Sequence, residues 1–299
     1  MKLYKSTITP SSNFATSLKG DTLFGQFCWA YRYTFGKEKL ESLLETYEDK
    51  PFLIISDAFI KKHLPKPNLP ARFIQEESKV LATAESIKQR KENKKKIWLD
   101  IDDFLSGDFS KAKKAEAKKA ELVIKNNIDY KDFKTKEGHD PFSLEEFTYT
   151  KQDIYFLLDE DKITLDELEQ SFSTLANIGY GKKASTGKGR FSFSPFEPQD
   201  KLLKPSKTFM ALSPFCPFEK DFDKLYYEPF IRFGKHGASL ANKNPFKKPI
   251  VLADTASVFS FKEEKSISFI GKGLKGISSH KNTVHQAYAI VLGIKKELN

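Results

Sequence analysis

Apolar and polar residues alternate from Leu3 to Thr9, and this period of two predicts a half-buried strand. A polar stretch over residues 11–20 follows and predicts a loop. The pattern then takes the period of a helix over Thr22–Tyr33, with Asp21 as its predicted N-cap. Five residues form the apolar stripe of this helix: Leu23, Phe24, Phe27, Cys28 and Tyr31. We also assign Trp29 to the core.

Similar patterns predict three further strands and a second helix before residue 195. The strand candidates are Pro51–Asp57, Phe147–Leu158 and Phe191–Phe193. Thr164 and Glu167 match a capping box, which opens a helix whose apolar stripe is Leu165, Leu168, Phe172 and Leu175. The chain order is therefore β-α-β-insertion-β-α-β, which is the ferredoxin-like order.

The second half of the chain is richer in strand signals than in helix signals. Proline and glycine separate five strand candidates: Thr208–Leu212, Tyr226–Phe233, Ser257–Phe261, Ser266–Ile270 and Val284–Leu292. We predict an α+β fold of two ferredoxin-like (RRM-like) domains. The first spans residues 1–195, and the second, more degenerate one spans residues 196–299.

An insertion at about 75–140 interrupts the first domain. Eleven basic residues fall between Lys88 and Lys119, and the run Lys111–Ala120 consists almost entirely of alanine and lysine. These two residue types favour helix, but the run has almost no apolar stripe to bury. We predict a solvent-exposed, helical, basic insertion, which either contacts RNA or protein or is simply a solvated face.

Composition agrees with a globular protein that has a polyanionic partner. The 299 residues include 50 basic and 40 acidic side chains, a formal charge of +10, yet only five of the basic residues are arginines. The two cysteines, Cys28 and Cys216, are far apart, and no stretch matches a secretory signal or reaches the length of a membrane span. We expect a cytoplasmic protein with reduced thiols, without a membrane partner and without a cofactor.

A glycine-rich, basic loop links the second helix to the strand that follows it. It reads Gly179-Tyr-Gly-Lys-Lys-Ala-Ser-Thr-Gly-Lys-Gly-Arg190 and has no acidic residue. A nucleotide-binding P-loop is excluded because the flanking elements are reversed and Lys188 is followed by Gly189. Glycines would let the backbone approach a partner closely, and consecutive N–H groups would bind an anion.

We predict that this loop binds an RNA backbone. The candidate RNA-binding residues are Gly179, Tyr180, Gly181, Lys182, Lys183, Ser185, Thr186, Gly187, Lys188, Gly189 and Arg190. Tyr180 either stacks on a base or packs beneath the loop. The alternative for the whole segment is a plain connection, in which Gly179 ends the helix.

A second candidate segment is Phe230–Gly237, in which Arg232, Lys235 and His236 could bind phosphate. The alternative is a strand that ends in a glycine turn. We predict no catalytic residue and no metal site: His280 and His285 do not share one face of a helix or strand, and no cysteine or histidine spacing matches a metal site. Asp21 is interpreted as a helix cap rather than an RNA-cleaving aspartate.

Several of these segments together resemble the RAMP superfamily of CRISPR proteins. Within it, Gly20–Ala30 resembles the first-helix motif of the subunit that caps the guide RNA 5′ end in type III-A (Csm) complexes. Three further stretches resemble later parts of that subunit: Ser56–Phe59 with Leu64–Pro67, Asn244–Leu252, and Thr255–Phe259. The chain departs from the family at Gly20, where Ser is more frequent, and at Ala256, where Gly is frequent.

The resemblance implies a non-catalytic subunit that binds the 5′ tag of the CRISPR RNA (crRNA). It further implies that the chain docks a large polymerase/cyclase-like subunit and contacts a backbone RAMP subunit of the filament. Three alternatives remain: a repeat-processing endoribonuclease of the same superfamily, the equivalent subunit of a type III-B (Cmr) complex, and a scaffold that binds only protein.

Overall fold

The structure is a computed structural model that describes residues 1–74, 84–129, 131–132, 134–135, 140–218, 221–237, 240, 244–296 and 298. Its first two hundred residues contain the α-helices α1 (Gly20–Phe35), α2 (Lys37–Glu45), α3 (Ala84–Lys94), α4 (Ile101–Ser106) and α5 (Leu165–Ile178). The strands of this part are β1 (Lys2–Pro10), β2 (Leu53–Ile55), β3 (Phe59–Ile60), β4 (His63–Pro65), β5 (Trp98–Asp100), β6 (Lys118–Lys125), β7 (Phe142–Tyr149), β8 (Gln152–Leu158), β9 (Phe191–Phe193) and β10 (Glu197–Pro198).

The later part of the chain is built from strands. They are β11 (Ser206–Ala211), β12 (Lys224–Tyr226), β13 (Pro229–Arg232), β14 (Ile250–Ala253), β15 (Val258–Lys265), β16 (Phe269–Leu274) and β17 (His285–Gly293). No α-helix occurs after Pro198 in the portion that the structure describes. The α+β class is confirmed, whereas the ferredoxin-like description of both halves and the boundary at residue 195 stay predictions.

Two antiparallel sheets organise the molecule. The first has the order β10-β1-β8-β2, with β3 also paired to β8 and β9 also paired to β1. Helices α1 and α5 pack side by side, and α5 also packs against β9. The elements β1, α1, β2, β8, α5 and β9 follow one another in the order predicted from the sequence. The second sheet has the order β12-β15-β11-β17-β16.

The two sheets share the larger of two hydrophobic clusters, and the smaller one lies in the second half of the chain. The main buried cluster includes Phe24 and Phe156 from the first sheet and its helices, and also Tyr288 and Ile290 from β17. The Gln286 side chain joins them directly: its Nε2 donates to the Ile55 carbonyl oxygen (2.8 Å), and its Oε1 accepts from the Ile55 N–H (2.9 Å). The halves are therefore packed together along β2 and β17.

Helix α1 begins two residues earlier than the sequence indicated. Its N-cap is Lys19, and the prediction that Asp21 caps the helix is wrong because Asp21 lies within the first turn. A carboxylate from another segment satisfies the first amide instead: Asp57 Oδ1 accepts from the Gly20 N–H (2.8 Å). The capping box of Thr164 and Glu167 on α5 is confirmed.

The two departures from the family pattern have different geometries. A Cβ added to Gly20 would lie 2.2 Å from the Ile55 carbonyl oxygen, so the close approach of α1 to β2 excludes any side chain at this position. Ala256 has φ of +67°, a conformation that glycine adopts more readily. Gly20 therefore stands where there is no space for a side chain, whereas Ala256 has a strained backbone conformation.

The insertion differs from its prediction in two ways. Lys111–Ala120 is not helical: β6 begins at Lys118 and pairs with β7 in an antiparallel hairpin, so strand pairing overrides the helical propensity of alanine and lysine. The insertion also contributes to the core, because five of its described residues are buried: Trp98, Leu99, Phe104, Phe109 and Ala112. Only α3 is a helix of the exposed, basic kind expected there, and residues 75–83, 130, 133 and 136–139 lie outside the described residues.

Candidate nucleic-acid interface

The glycine-rich loop is fixed at its start by the end of helix α5. Gly179 has φ of +99°, and its N–H donates to the Leu175 carbonyl oxygen (2.9 Å). Gly179 therefore ends the helix, as the plain-connection alternative required. From here the chain turns over residues 184–186 in one short 3-10 turn and enters β9 at Phe191.

Most backbone amides of the loop are bonded within the protein. The N–H of Lys182 donates to Thr16 Oγ1 (2.9 Å), that of Gly189 to the Asn13 carbonyl oxygen (2.9 Å), and that of Arg190 to Ser12 Oγ (2.9 Å). Amides with other internal acceptors belong to Gly179, Tyr180, Thr186, Gly187 and Lys188. Within the described chain, only the amides of Gly181, Lys183, Ala184 and Ser185 lack an acceptor. The predicted anion cradle is thus reduced to these four donors.

The glycines serve internal packing more than access to a partner. A Cβ at Gly179 would lie 2.5 Å from the Lys188 carbonyl oxygen, one at Gly181 would lie 2.6 Å from Thr16, and one at Gly189 would lie 2.1 Å from the Tyr180 carbonyl oxygen. Gly187 is different, because nothing lies within 4 Å of its added Cβ. Of these four glycines, only Gly187 therefore leaves open space beside the backbone, and its approach to RNA stays a prediction.

Tyr180 is buried, which favours the second of its two alternatives, packing beneath the loop, over stacking on a base. Its exposed fraction is 0%, and its hydroxyl donates to the Ser17 carbonyl oxygen (2.7 Å). The ring lies near that of Phe14, with 6.1 Å between centroids. Tyr180 holds the loop onto the segment that follows β1, so its role is to pack beneath the loop.

Lys188 is engaged by a buried carboxylate. Its Nζ lies 2.6 Å from Glu146 Oε2, and Lys125 Nζ lies 3.0 Å from Glu146 Oε1. The hydrogen bond from Lys188, together with Lys125 and Asn13, lowers the pKa of Glu146 to about 2 against the opposing effect of burial. Lys188 is therefore held in an ion pair within the protein, sharing Glu146 with Lys125, and its contact with RNA stays a prediction.

Three cations of the loop remain on the surface. Lys182, Lys183 and Arg190, which we name the loop cations, are exposed and have no ion pair within the described residues. Ser185 and Thr186 are exposed as well, although the Thr186 hydroxyl donates to the Lys183 carbonyl oxygen (2.9 Å). The loop thus offers positive charge, one free hydroxyl and a few free amides to a polyanion.

The second predicted segment contributes one exposed cation. Arg232 Nε lies 2.7 Å from Oδ2 of the buried Asp21, so this guanidinium is committed to an ion pair. His236 is buried, its Nε2 lies 2.6 Å from Ser278 Oγ, and burial together with Lys247 and His280 lowers its pKa to about 4. Neither matches the predicted phosphate contact. Lys235 is exposed, 5.3 Å above the ring centroid of Phe246.

A groove that sequence reasoning missed lies beside the loop. It has a volume of about 220 Å³, and its walls come from α1, the end of α5, the loop and Gly237. Trp29, which we assigned to the core, is only half-buried, and Tyr33 is 57% exposed. Both rings line the groove. The sequence did contain a signal for this groove: Trp29 and Tyr33 lie outside the apolar stripe of α1 and are four residues apart, so they share one face of the helix.

Comparison with known proteins identifies the family. A family model described as RAMP superfamily matches residues 17–192, more than half of the chain, and the chain belongs to this superfamily. No curated protein sequence matches it. Among the described residues, no helix is long and apolar enough to cross a membrane.

Solved structures with the same fold cover nearly the whole chain. A chain of the "Csm1-Csm4 cassette in complex with cA4" has a TM-score of 0.63 at 14% identity, and 99% of this chain and 100% of that chain are covered. The same cassette in complex with pppApA gives a TM-score of 0.62 at 14% identity and the same coverage. A chain of the "Csm3-Csm4 subcomplex in the type III-A CRISPR-Cas interference complex" gives 0.55 at 15% identity, covering 97% and 99%.

Proposed function

We propose that the chain is a non-catalytic subunit of a type III-A CRISPR effector complex that binds the crRNA 5′ tag. In this proposal it also docks the large polymerase/cyclase-like subunit and contacts a backbone RAMP subunit. The observation that carries the proposal is a similarity in fold to chains from a Csm1-Csm4 cassette and a Csm3-Csm4 subcomplex, over nearly their full length. Csm4 is the component that these two assemblies share. Membership of the RAMP superfamily supports it.

The non-catalytic role is supported by the state of the candidate acid–base groups. Asp21, at the position where a related subunit could place an RNA-cleaving aspartate, is buried and paired with Arg232. His285 is only 6% exposed, and burial lowers its pKa to about 4, so this imidazole is neutral at pH 7. A general acid or base must reach its substrate, and neither group does so. These contacts argue against the endoribonuclease alternative.

RNA binding is assigned to the loop cations and to the free amides beside them. Lysine and arginine attract a phosphate backbone without regard to sequence, and binding of this kind weakens as salt rises. We expect that replacing Lys182, Lys183 and Arg190 together by alanine weakens binding of single-stranded tag RNA at least about tenfold, since one charge-assisted contact contributes about 1.5–3 kcal/mol. The slope of log K against log salt should fall by about 2, as three phosphate contacts are lost. Fluorescence anisotropy over a salt series measures both.

A matched triple variant controls for the loss of net charge. Lys201, Lys207 and Lys262 are exposed and lie outside the loop, and their replacement by alanine should leave the salt slope unchanged. Equal weakening in both triple variants would mean that binding follows total charge rather than the loop. Unchanged binding in the loop variant would contradict the RNA-binding site.

Docking of protein partners is supported by an exposed apolar face on the β13–β14 hairpin. Ile231 and Val251 are directly paired across the two strands and are 55% and 63% exposed, and the next outward residue, Phe233, is 74% exposed. Contiguous apolar surface of this kind marks interaction sites. We expect the affinity-tagged chain, co-expressed with the large and backbone subunits, to retain both after RNase treatment and in high salt. Release of the large subunit by RNase alone would show an RNA bridge and contradict direct docking.

A further inference from the structure

The groove beside the glycine-rich loop has the size and walls of a site for a flat ring. Its volume of about 220 Å³ is below the range of about 300–1,000 Å³ that is usual for pockets that enclose whole ligands. Tyr33 and Trp29 line it from α1, Ile178 lines it from the end of α5, and Ala184 lines it from the loop. The Tyr33 ring is the most exposed aromatic surface among these residues.

Polar groups in the groove are free to bind. The Gln26 side chain lines the groove and has no hydrogen-bond partner among the described residues. The same is true of the Trp29 indole N–H within the described chain. A carboxamide offers a donor and an acceptor side by side, which matches the edge of a nucleobase.

Charge around the groove favours an anionic ligand. Gly181 and Ala184 line it, and the two residues between them, Lys182 and Lys183, are exposed loop cations. Arg32 lies over the Trp29 ring at 5.3 Å and adds a further cation. The larger cleft between α1 and α5, about 520 Å³, instead has Asp166 and Glu169 in its lining and would repel a phosphate backbone.

We propose that the groove binds one nucleobase of the single-stranded RNA whose phosphates lie on the loop cations. The base packs against Tyr33 and Trp29, and its edge meets the Gln26 carboxamide. Stacking on aromatic side chains is the common way in which proteins bind unpaired bases. This inference rests on the proposed function, because it adds a base contact to the same RNA.

The test compares a short single-stranded RNA with the same sugar–phosphate chain lacking bases, using the full chain. We expect the unmodified chain to bind the base-free RNA about 5- to 100-fold more weakly, the loss typical of one removed stacking contact. In Tyr33→Ala this difference should largely vanish, and in Gln26→Ala it should shrink. Tyr227→Ala is the matched control, because Tyr227 is exposed to a similar extent (45%) and does not line the groove. It should keep the full difference.

Fluorescence gives a second readout that does not depend on a stacking variant. The chain has two tryptophans, and in a Trp98→Phe variant all tryptophan emission, selected by exciting at wavelengths that tyrosine does not absorb, comes from Trp29. RNA with bases should quench this emission, whereas base-free RNA should not. Equal affinity for both RNAs, with dependence on Lys182 and Lys183 intact, would overturn the base site and leave the proposed function standing. Absence of binding to either RNA would overturn both.

Discussion

Replacing Arg232 by alanine is expected to lower the free energy of unfolding by about 3–5 kcal/mol, the usual cost of leaving a buried carboxylate without its partner. The side chain of Asp21 is fully buried, and Arg232 contacts both of its oxygens, at 2.7 Å through Nε and 2.8 Å through Nη2. His285 Nε2 lies 3.5 Å from Asp21 Oδ2 but is neutral at pH 7, since burial holds its pKa at about 4. Arg232 is therefore the cation in direct contact with both oxygens of Asp21. Urea denaturation measures the change.

Two variants separate this ion pair from a general loss of arginine. Arg190→Ala removes an exposed guanidinium with no ion pair in the described chain and should change stability by less than about 0.5 kcal/mol. Adding Asp21→Asn to Arg232→Ala should recover part of the loss, because no charge is then left unpaired. If Arg232→Ala alone is as stable as the unmodified chain, solvent or another group must neutralise Asp21.

The second large effect is expected at Gly189. This residue has φ of +73°, and an added Cβ would lie 2.1 Å from the Tyr180 carbonyl oxygen and 2.7 Å from its nitrogen. Both obstacles are backbone atoms, so no side chain can rotate away. We expect Gly189→Ala to cost about 2–5 kcal/mol, the sum of left-handed strain and forced displacement. Thermal unfolding followed by circular dichroism measures it.

Gly187 provides the matched control within the same loop. It also has positive φ (+84°), but nothing lies within 4 Å of its added Cβ. Gly187→Ala should therefore cost only the strain, about 1–2 kcal/mol. The difference between the two variants isolates the packing of the loop against Tyr180. Equal losses at both positions would contradict that packing.

Local signals predicted much of the fold. The capping box at Thr164 placed the start of α5 correctly, and alternation from Leu3 to Thr9 placed β1. Prediction failed where distant partners decide the outcome. Asp57, in the segment between β2 and β3, accepts the hydrogen bond from the first amide of α1, and the pairing of β6 with β7 makes a strand of residues whose propensity is helical. Neither contact leaves a trace in the local pattern.

The candidate site was located from the sequence, but the roles of its residues were not. Glycine and lysine in one loop indicate a turn with positive charge. They do not indicate which backbone amides and lysine side chains already have partners within the protein. Thr16 and Asn13 accept hydrogen bonds from the amides of Lys182 and Gly189, which lie more than 160 residues later in the sequence. Glu146 forms an ion pair with Lys188. The sequence does not distinguish the burial of Tyr180 from that of Tyr33, yet of these two only Tyr33 exposes its ring to solvent.

The position of β17 sets an order of events during synthesis. This strand lies between β11 and β16, and its Gln286 is bonded to Ile55 of β2. Apolar residues of the first sheet that pack on β17 stay uncovered until residues 285–293 have left the ribosome. A nascent chain at that stage exposes apolar surface that is prone to aggregation, so it depends on chaperones or on rapid completion of synthesis. Ribosome stalling shortly before β17 should therefore yield aggregates rather than a stable first half.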